Sequence, residues 1–294
     1  MIRVGVAGWS YADWKGRAYP RTSSKDFHPL EYLARFFDCI EINSSFYALP
    51  QRVHVQGWVE RVAERPDFRF AMKLHRDFTH GRHEATAASA YNRALEPMLE
   101  SNRLGAVLAQ FHQDFADQPH NRERLLELGR LFGHLPLVLE LRHRSWFQHG
   151  TLAMLEGEGL NLAHIDMPVA PTVVPPITEG EGLPYFLGPL GYLRLHGRNA
   201  ADWYDPAKGR DDSYNWMYRR EEVETFAGYA RKLAAAGGDT YVVTNNHFGG
   251  KAVANGLELL ASLRGAPVPG PPEIVAAYPD LADVVRPEGQ GTLF

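Results

Sequence analysis

Short apolar runs alternate with amphipathic stretches along the chain. Eight segments read as strands: residues 3–8, 39–43, 68–75, 106–111, 137–142, 160–166, 192–196 and 240–245. Between them the apolar spacing is helical. Leu30, Leu33, Ala34 and Phe37 fall at i, i+3, i+4 and i+7, and Leu125, Leu128 and Phe132 nearly repeat that spacing. Val223, Phe226, Ala227, Ala230, Leu233 and Ala234 form the longest stripe, which stops at Gly237-Gly238. Strands alternating with helices predict a parallel sheet. Eight repeats predict that the sheet closes, giving an α/β, TIM-like (βα)₈ barrel. It forms a single domain over residues 1–294, with 267–294 as a C-terminal extension rich in Pro and Gly. An open doubly wound sheet is the alternative, but no G-x-G-x-x-G follows the first strand. Residues 168–189 and 197–219 break the rhythm as long loops, the second carrying Trp203, Tyr204, Tyr214, Trp216 and Tyr218.

Alternation within the strands sorts side chains by face. Ile40 and Ile42 are expected to meet helices, leaving Glu41 and Asn43 inside. By the same rule Lys73 and His75, Glu140 and Arg142, and Arg194 and His196 point inward. In the sixth strand His164 and Asp166 share a face and are counted with the inward set; Gln110 ends the fourth. Most of these residues lie late in their strands, at the end of a barrel where catalytic residues gather. An internal ion-pair network that only orders the barrel is the structural alternative, because buried charge is costly unless paired. Arg194, one pleat below His196, is placed to neutralise Glu41 or Glu140.

Composition narrows the picture. The chain has 294 residues, and a complete (βα)₈ barrel needs roughly 250. A net charge of −4 argues against non-specific coating of nucleic acid but leaves room for a local basic pocket. The one cysteine, Cys39, reads as a small core residue. The chain opens directly as a strand and has no run approaching a membrane span, so a cytoplasmic protein with no membrane contact is expected.

Several segments resemble one family. They begin with Gly8-Trp9-Ser10-Tyr11, Trp14 and Tyr19-Pro20, followed by Glu41-Ile42-Asn43-Ser44-Ser45-Phe46-Tyr47 and Phe70-Ala71-Met72-Lys73. Further along come Gln110-Phe111, Glu140-Leu141-Arg142-His143 with Ser145-Trp146, Arg194-Leu195-His196-Gly197-Arg198, and Asn245-Asn246. In this order, from residue 5 to about 260, they resemble the DUF72 (YecE-like) proteins. The resemblance implies a TIM-like barrel and little about activity. Two departures are His112, where the family usually has proline, and Thr244, where phenylalanine is expected.

The candidate catalytic residues are Glu41, Lys73, Glu140, Asp166 and His196. Carboxylates and histidine suit acid–base work if their environments separate their pKa values. The candidate ligand-binding residues are Trp9, Tyr11, Asn43, Gln110, Arg142, Trp146, Arg198, Asn245 and Asn246. Lys73 and Arg142 suit an anion, and aromatic faces beside cations suit flat ligands. Trp14 and Tyr47 read instead as loop anchors. Arg76, His80, Arg82 and His83 form a basic loop that is either solvated or ligand-binding. Gly249-Gly250-Lys251 can cradle a phosphate or be a plain turn. The cofactor is unknown. Glu41, Glu140, His164, Asp166 and His196 are ligand types for Zn²⁺ or Mn²⁺, by analogy with metal-dependent barrel isomerases and endonucleases. Interleaved cations oppose a divalent metal, and no residue is assigned to one.

The expected function is an enzyme acting on a phosphate-bearing substrate, a nucleotide or nucleic acid, by acid–base hydrolysis or lyase chemistry. A metal-dependent hydrolase or isomerase acting on a sugar-like substrate is one alternative. A non-catalytic protein that binds an anionic ligand or nucleic acid is another. The terminal Gln290-Gly291-Thr292-Leu293-Phe294 resembles the peptide that binds the bacterial sliding clamp, a partner reached through Gln290, Leu293 and Phe294. Folding back onto the barrel is the other reading of that tail.

Overall fold

In the computed structural model, residues 1–81, 85–177, 185, 187–205, 207–209 and 211–288 are described. Nine parallel strands form one sheet: β1 (Ile2–Ala7), β2 (Cys39–Ile42), β3 (Arg69–Lys73), β4 (Leu104–Gln110), β5 (Leu137–Glu140), β6 (Asn161–Leu162), β7 (His164–Asp166), β8 (Gly191–Leu195) and β9 (Thr240–Thr244). The order is β6-β5-β4-β3-β2-β1-β9-β8-β7. Only Ala163 separates the two end strands, and its N–H donates to the Leu139 carbonyl at 2.9 Å. The sixth expected strand is therefore one strand in two pieces, and through it the sheet closes as a TIM-like barrel.

The helices form where the apolar stripes and caps place them. Pro29–Ala34 starts on a proline, with the His28 ring accepting the Leu30 N–H. Arg220–Gly237 opens with a capping box through Glu222, ends at Gly238 with φ 119°, and buries Val223, Phe226, Ala227, Ala230 and Leu233. Residues 268–287 form a parallel ribbon, Val268–Gly270 with Val285–Pro287, around the helix Pro272–Ala277. No helix among the described residues is long and apolar enough to cross a membrane. Gln290, Leu293 and Phe294 lie outside the described residues, as do Arg82 and His83.

Two apolar layers sandwich the strands. The outer one packs Val6, Ile40, Ile42, Phe70, Met72, Leu139 and Leu193 against helices. The inner one plugs the lumen with Cys39, Ala71, Ala106, Leu108, Val138, Ile165, Tyr192, Tyr241 and Val243. Gly5 is required where β1 meets β2, since a Cβ there would stand 2.0 Å from the Cys39 carbonyl oxygen. The apolar plug fills the middle of the lumen, and a separate set of polar residues lies beyond it at the C-terminal end.

Candidate functional site

Arg194 organises that end. Its Nε and Nη2 donate to the two carboxylate oxygens of Glu41 at 2.9 and 2.6 Å, and the Tyr192 hydroxyl donates to the same group from below at 2.9 Å. Arg194 Nη1 reaches Glu140 and donates to Gln110 Oε1 at 3.1 Å. Glu140 also accepts from Arg142 Nε at 2.8 Å and lies 3.3 Å from His196 Nε2. His196 Nδ1 lies 2.9 Å from Asn245 Nδ2, and its Nε2 lies 3.3 Å from Glu140 and 3.4 Å from Arg194 Nη1.

The electrostatics follow from this wiring. Burial pushes the Glu140 carboxyl up, but Arg194, Arg142 and His196 outweigh it and hold the group well below the usual carboxylate range. Burial pulls Arg194 down, but Glu140 and Glu41 outweigh it and hold the guanidinium above its ordinary value. His196 is lowered to about 3 by burial, against the pull of Glu140, so it is neutral. Glu41 and Glu140 balance Arg142 and Arg194, which leaves Lys73 as the surplus cation. Lys73 makes no hydrogen bond or ion pair through its amine among the described residues; its Nζ sits 4.2 Å above the Phe46 ring. Burial first, then Arg194, lowers its pKa to about 7 against Glu41 and Glu140. Arg142 Nη2 lies 2.7 Å from Glu140 but off the hydrogen-bond axis, so its N–H groups have no acceptor among the described residues.

An aromatic wall covers one side of the lumen. Trp203 and Tyr214 stand 6.0 and 6.3 Å from the His196 ring, Tyr214 continues onto His247, and His247 stacks on Tyr11 at 4.4 Å. The Arg142 guanidinium lies 5.8 Å from the Trp203 ring. At the rim, Asn43 Oδ1 is buried with no hydrogen-bond partner among the described residues.

The structure thus brings together Glu41, Lys73, Gln110, Glu140, Arg142, His196 and Asn245, with Tyr11 and Asn43 at the rim. Five candidates stand elsewhere. Asp166 points outward, where Arg198 grips both its oxygens and the Tyr218 hydroxyl donates at 2.8 Å. Arg198 is held there by Asp166 and by Glu222 at 2.9 Å, so it anchors a loop instead of facing the lumen. Asn246 bonds Asn255 and the Trp216 carbonyl. Trp146 is fully buried, stacks on Phe115 and donates to its carbonyl at 2.5 Å. Trp9 packs edge-on against Trp58, outside the barrel. His164, counted with the inward set, also faces out, bonding the Tyr229 hydroxyl at 2.8 Å. Of the two expected loop anchors, Trp14 is buried and donates to the His247 carbonyl, but Tyr47 is half exposed. Asp13 occupies the Gly249 N–H at 2.6 Å, so the glycine pair is a turn closed by a carboxylate. Thr244 fastens β9 by donating to the Ala252 carbonyl, and His112 lies on the surface near Asp114.

The metal reading does not fit these positions. His164 and Asp166 lie on the far face of their strand, arginines hold the oxygens of Glu41 and Glu140, and no group of three or more ligand-type side chains gathers among the described residues. Sequence reading did not assign Tyr192, Trp203, Tyr214 and His247 to the site, and left Phe46, at a strand end by the mouth, without a role. The aromatic loop 197–219 signalled Trp203 and Tyr214, and Tyr192 shares the inward parity of Arg194.

Asp166→Ala tests the outward assignment. It is expected to destabilise the fold by about 1–3 kcal/mol, the cost of stranding buried donors, and to leave lumen binding unchanged. Urea denaturation beside ligand titration checks it, and lost binding at full stability would return Asp166 to the site.

These features define a closed parallel α/β barrel with an ion-paired, cation-rich layer at its C-terminal mouth. The family described as "Protein of unknown function DUF72" matches residues 3–274, and the chain belongs to that family. UPF0759 protein YunF of Bacillus subtilis (strain 168) is 30% identical over 282 residues, covering 90% of this chain and 95% of that protein. YecE of Escherichia coli K12 is 29% identical over 165 residues, 55% of this chain and 56% of YecE. Solved DUF72 proteins from Enterococcus faecalis V583 and Thermotoga maritima MSB8 superpose with TM-scores of 0.77 and 0.76 at 27% and 29% identity. Each alignment covers 90% of this chain, with 96% and 99% of those chains.

Proposed function

We propose that this chain is an enzyme that binds a phosphate-bearing substrate, a nucleotide or a nucleic-acid strand, at the barrel mouth and acts on it by acid–base hydrolysis or lyase chemistry. The supporting observation is the state of the two cations. Among the described residues the Lys73 amine makes no hydrogen bond or ion pair, and Arg142 Nη2, 2.7 Å from Glu140, has no aligned acceptor, while Arg194 bonds both Glu41 and Glu140. A phosphate would satisfy both donors, and the Tyr11–His247–Tyr214 wall would take a base or sugar. Because Glu41 and Glu140 are engaged, proton transfer falls to Lys73, whose pKa of about 7 suits it. Hollows of about 800 and 930 Å³ on the outer surface offer less, since Arg61 and Arg220, which line them, pair with Glu31 and with Glu258 and Asp283.

Titration with inorganic phosphate, adenosine monophosphate and a short single-stranded DNA tests this reading. Arg142→Ala and Lys73→Ala are each expected to weaken binding by about 1.5–3 kcal/mol, the range for a charge-assisted hydrogen bond. Equal binding by both variants and the parent would remove the anion site from the lumen. The locked state of Glu41 and Glu140 favours a second reading, ligand binding without turnover. Product formation that disappears in Lys73→Ala would exclude it.

A further inference from the structure

An amine reaches the mouth of this barrel with none, among the described residues, of the partners that normally hold a lysine as a cation. Lys73 ends β3, and its backbone carbonyl is clamped by the Ser45 hydroxyl at 2.6 Å and the Tyr91 hydroxyl at 3.3 Å. The side chain therefore leaves a fixed point. Its Nζ lies over Phe46, an apolar face that gives the amine no counter-ion, and Phe46 is backed edge-on by His80 at 5.3 Å. The two carboxylates that could neutralise Lys73 are bound by Arg194, and Glu140 also by Arg142. The residue is 8% exposed, so its side chain is largely shielded from bulk water.

We propose that Lys73 is a carbonyl-reactive amine that condenses with the open-chain aldehyde or ketone of a sugar phosphate whose phosphate is held by Arg142. The phosphate half of this inference rests on the function proposed above; the amine half stands on the geometry of Lys73. The neutral Nζ attacks the carbonyl carbon, and the C=O electron pair moves to oxygen. A proton passes from nitrogen to that oxygen, giving a carbinolamine. Loss of the hydroxyl with a second proton releases one water and leaves a C=N bond to Lys73, so no oxidant or reductant is needed. Desolvation beside other cations is the usual way a lysine is kept neutral for this chemistry. The charged groups facing Lys73 are Arg194, Arg142, Glu41 and Glu140, and burial together with the two arginines outweighs the carboxylates to give the pKa of about 7. His80, lowered to about 4 chiefly by burial, is neutral in the working range.

The chain makes the test tractable, because its lysines are Lys15, Lys25, Lys73, Lys208, Lys232 and Lys251. The full-length protein is incubated with glyceraldehyde 3-phosphate and sodium cyanoborohydride, then mapped by peptide mass spectrometry. Reduction of the imine leaves a stable secondary amine at the reacting lysine. The expected result is a single adduct on Lys73, formed at least tenfold faster than on exposed Lys25 or Lys208 and absent in Lys73→Arg. Labelling is expected to rise as pH passes upward through about 7, as Lys73 loses its proton. Glyceraldehyde without the phosphate is expected to label Lys73 more slowly, and inorganic phosphate to protect against the phosphorylated probe. Labelling of the exposed lysines with none on Lys73, by either aldehyde, overturns the proposal, and this readout on the unmodified protein does not depend on any variant folding. Equal labelling of Lys73 by both aldehydes, without protection by phosphate, supports the amine chemistry and overturns the phosphate site.

Discussion

Arg194→Met is expected to destabilise the barrel more than any other single change at the mouth, by at least about 3–5 kcal/mol, the cost of leaving a buried charge unpaired. The reason is geometric. One guanidinium neutralises Glu41 through two hydrogen bonds and Glu140 through another, and all three side chains are about 1% exposed or less. Methionine leaves Glu41 with the Tyr192 hydroxyl alone among the described residues' side-chain donors. For a chain of this size the loss corresponds to a fall in Tm of roughly 6–20 °C. The deficit is also expected to depend on pH. Without Arg194, burial raises the folded-state pKa of the stranded carboxyls above their unfolded values. The variant then binds more protons when folded, and its stability falls as pH rises. Denaturant titrations at pH 5 and pH 8 check both points. A loss under about 1 kcal/mol at pH 8 would mean that the network does not hold the lumen together. Recovery of part of the loss by Glu41→Gln in the same background would identify the stranded charge as its cause.

Lys73→Met is expected to act in the opposite direction, stabilising the fold while removing the site. The Lys73 amine is lowered from 10.5 to about 7, mainly by burial. At roughly 1.4 kcal/mol per pKa unit, the ceiling on the cost of keeping it charged in the fold is roughly 5 kcal/mol. Below pH 7 both folded and unfolded chains carry the proton, and the whole penalty is present. Between about 7 and 10.5 the unfolded chain binds more protons than the folded one, so the parent gains stability as pH rises. The gain from Lys73→Met is therefore largest at pH 6 and shrinks towards pH 10. Urea unfolding of both proteins at pH 6, 8 and 10 measures it. A constant difference across that range would show that Lys73 titrates as an ordinary exposed lysine. Phosphate affinity of the parent is expected to fall over the first part of the same range, as the surplus cation is lost. Stability given up for a reactive group in this way is a common mark of a functional site.

The period of two in the strands and the stripes between them were readable along the chain. They placed a strand at each of the eight expected positions and put Glu41, Lys73, Glu140, Arg142 and His196 on one side of the sheet. They did so because at the C-terminal ends of β2, β3, β5 and β8 a polar residue follows or lies between apolar residues that meet helices. The sixth strand shows where that reasoning stops. His164, Ile165 and Asp166 alternate as clearly as any, yet Ile165 enters the apolar plug while His164 and Asp166 face out. Both faces of a barrel strand are buried, so alternation says which side chains share a face and not which face looks inward. Tertiary partners decided it: Tyr229 takes His164, and Arg198 and Tyr218 take Asp166. The aromatic residues after the strand ends were similarly undecided, since Trp146 stacks under its own loop while Trp203 and Tyr214 reach the lumen. The freedom of Lys73 was the least readable feature. It exists because Arg194 reaches across the barrel to Glu41, 153 residues away, and to Glu140, 54 residues away, before any lysine can claim them. Local pattern determined the elements, their order and the residues available to the mouth. Which charges are neutralised there, and which one is left over, depended on closing the sheet and bringing distant strand ends within hydrogen-bond range.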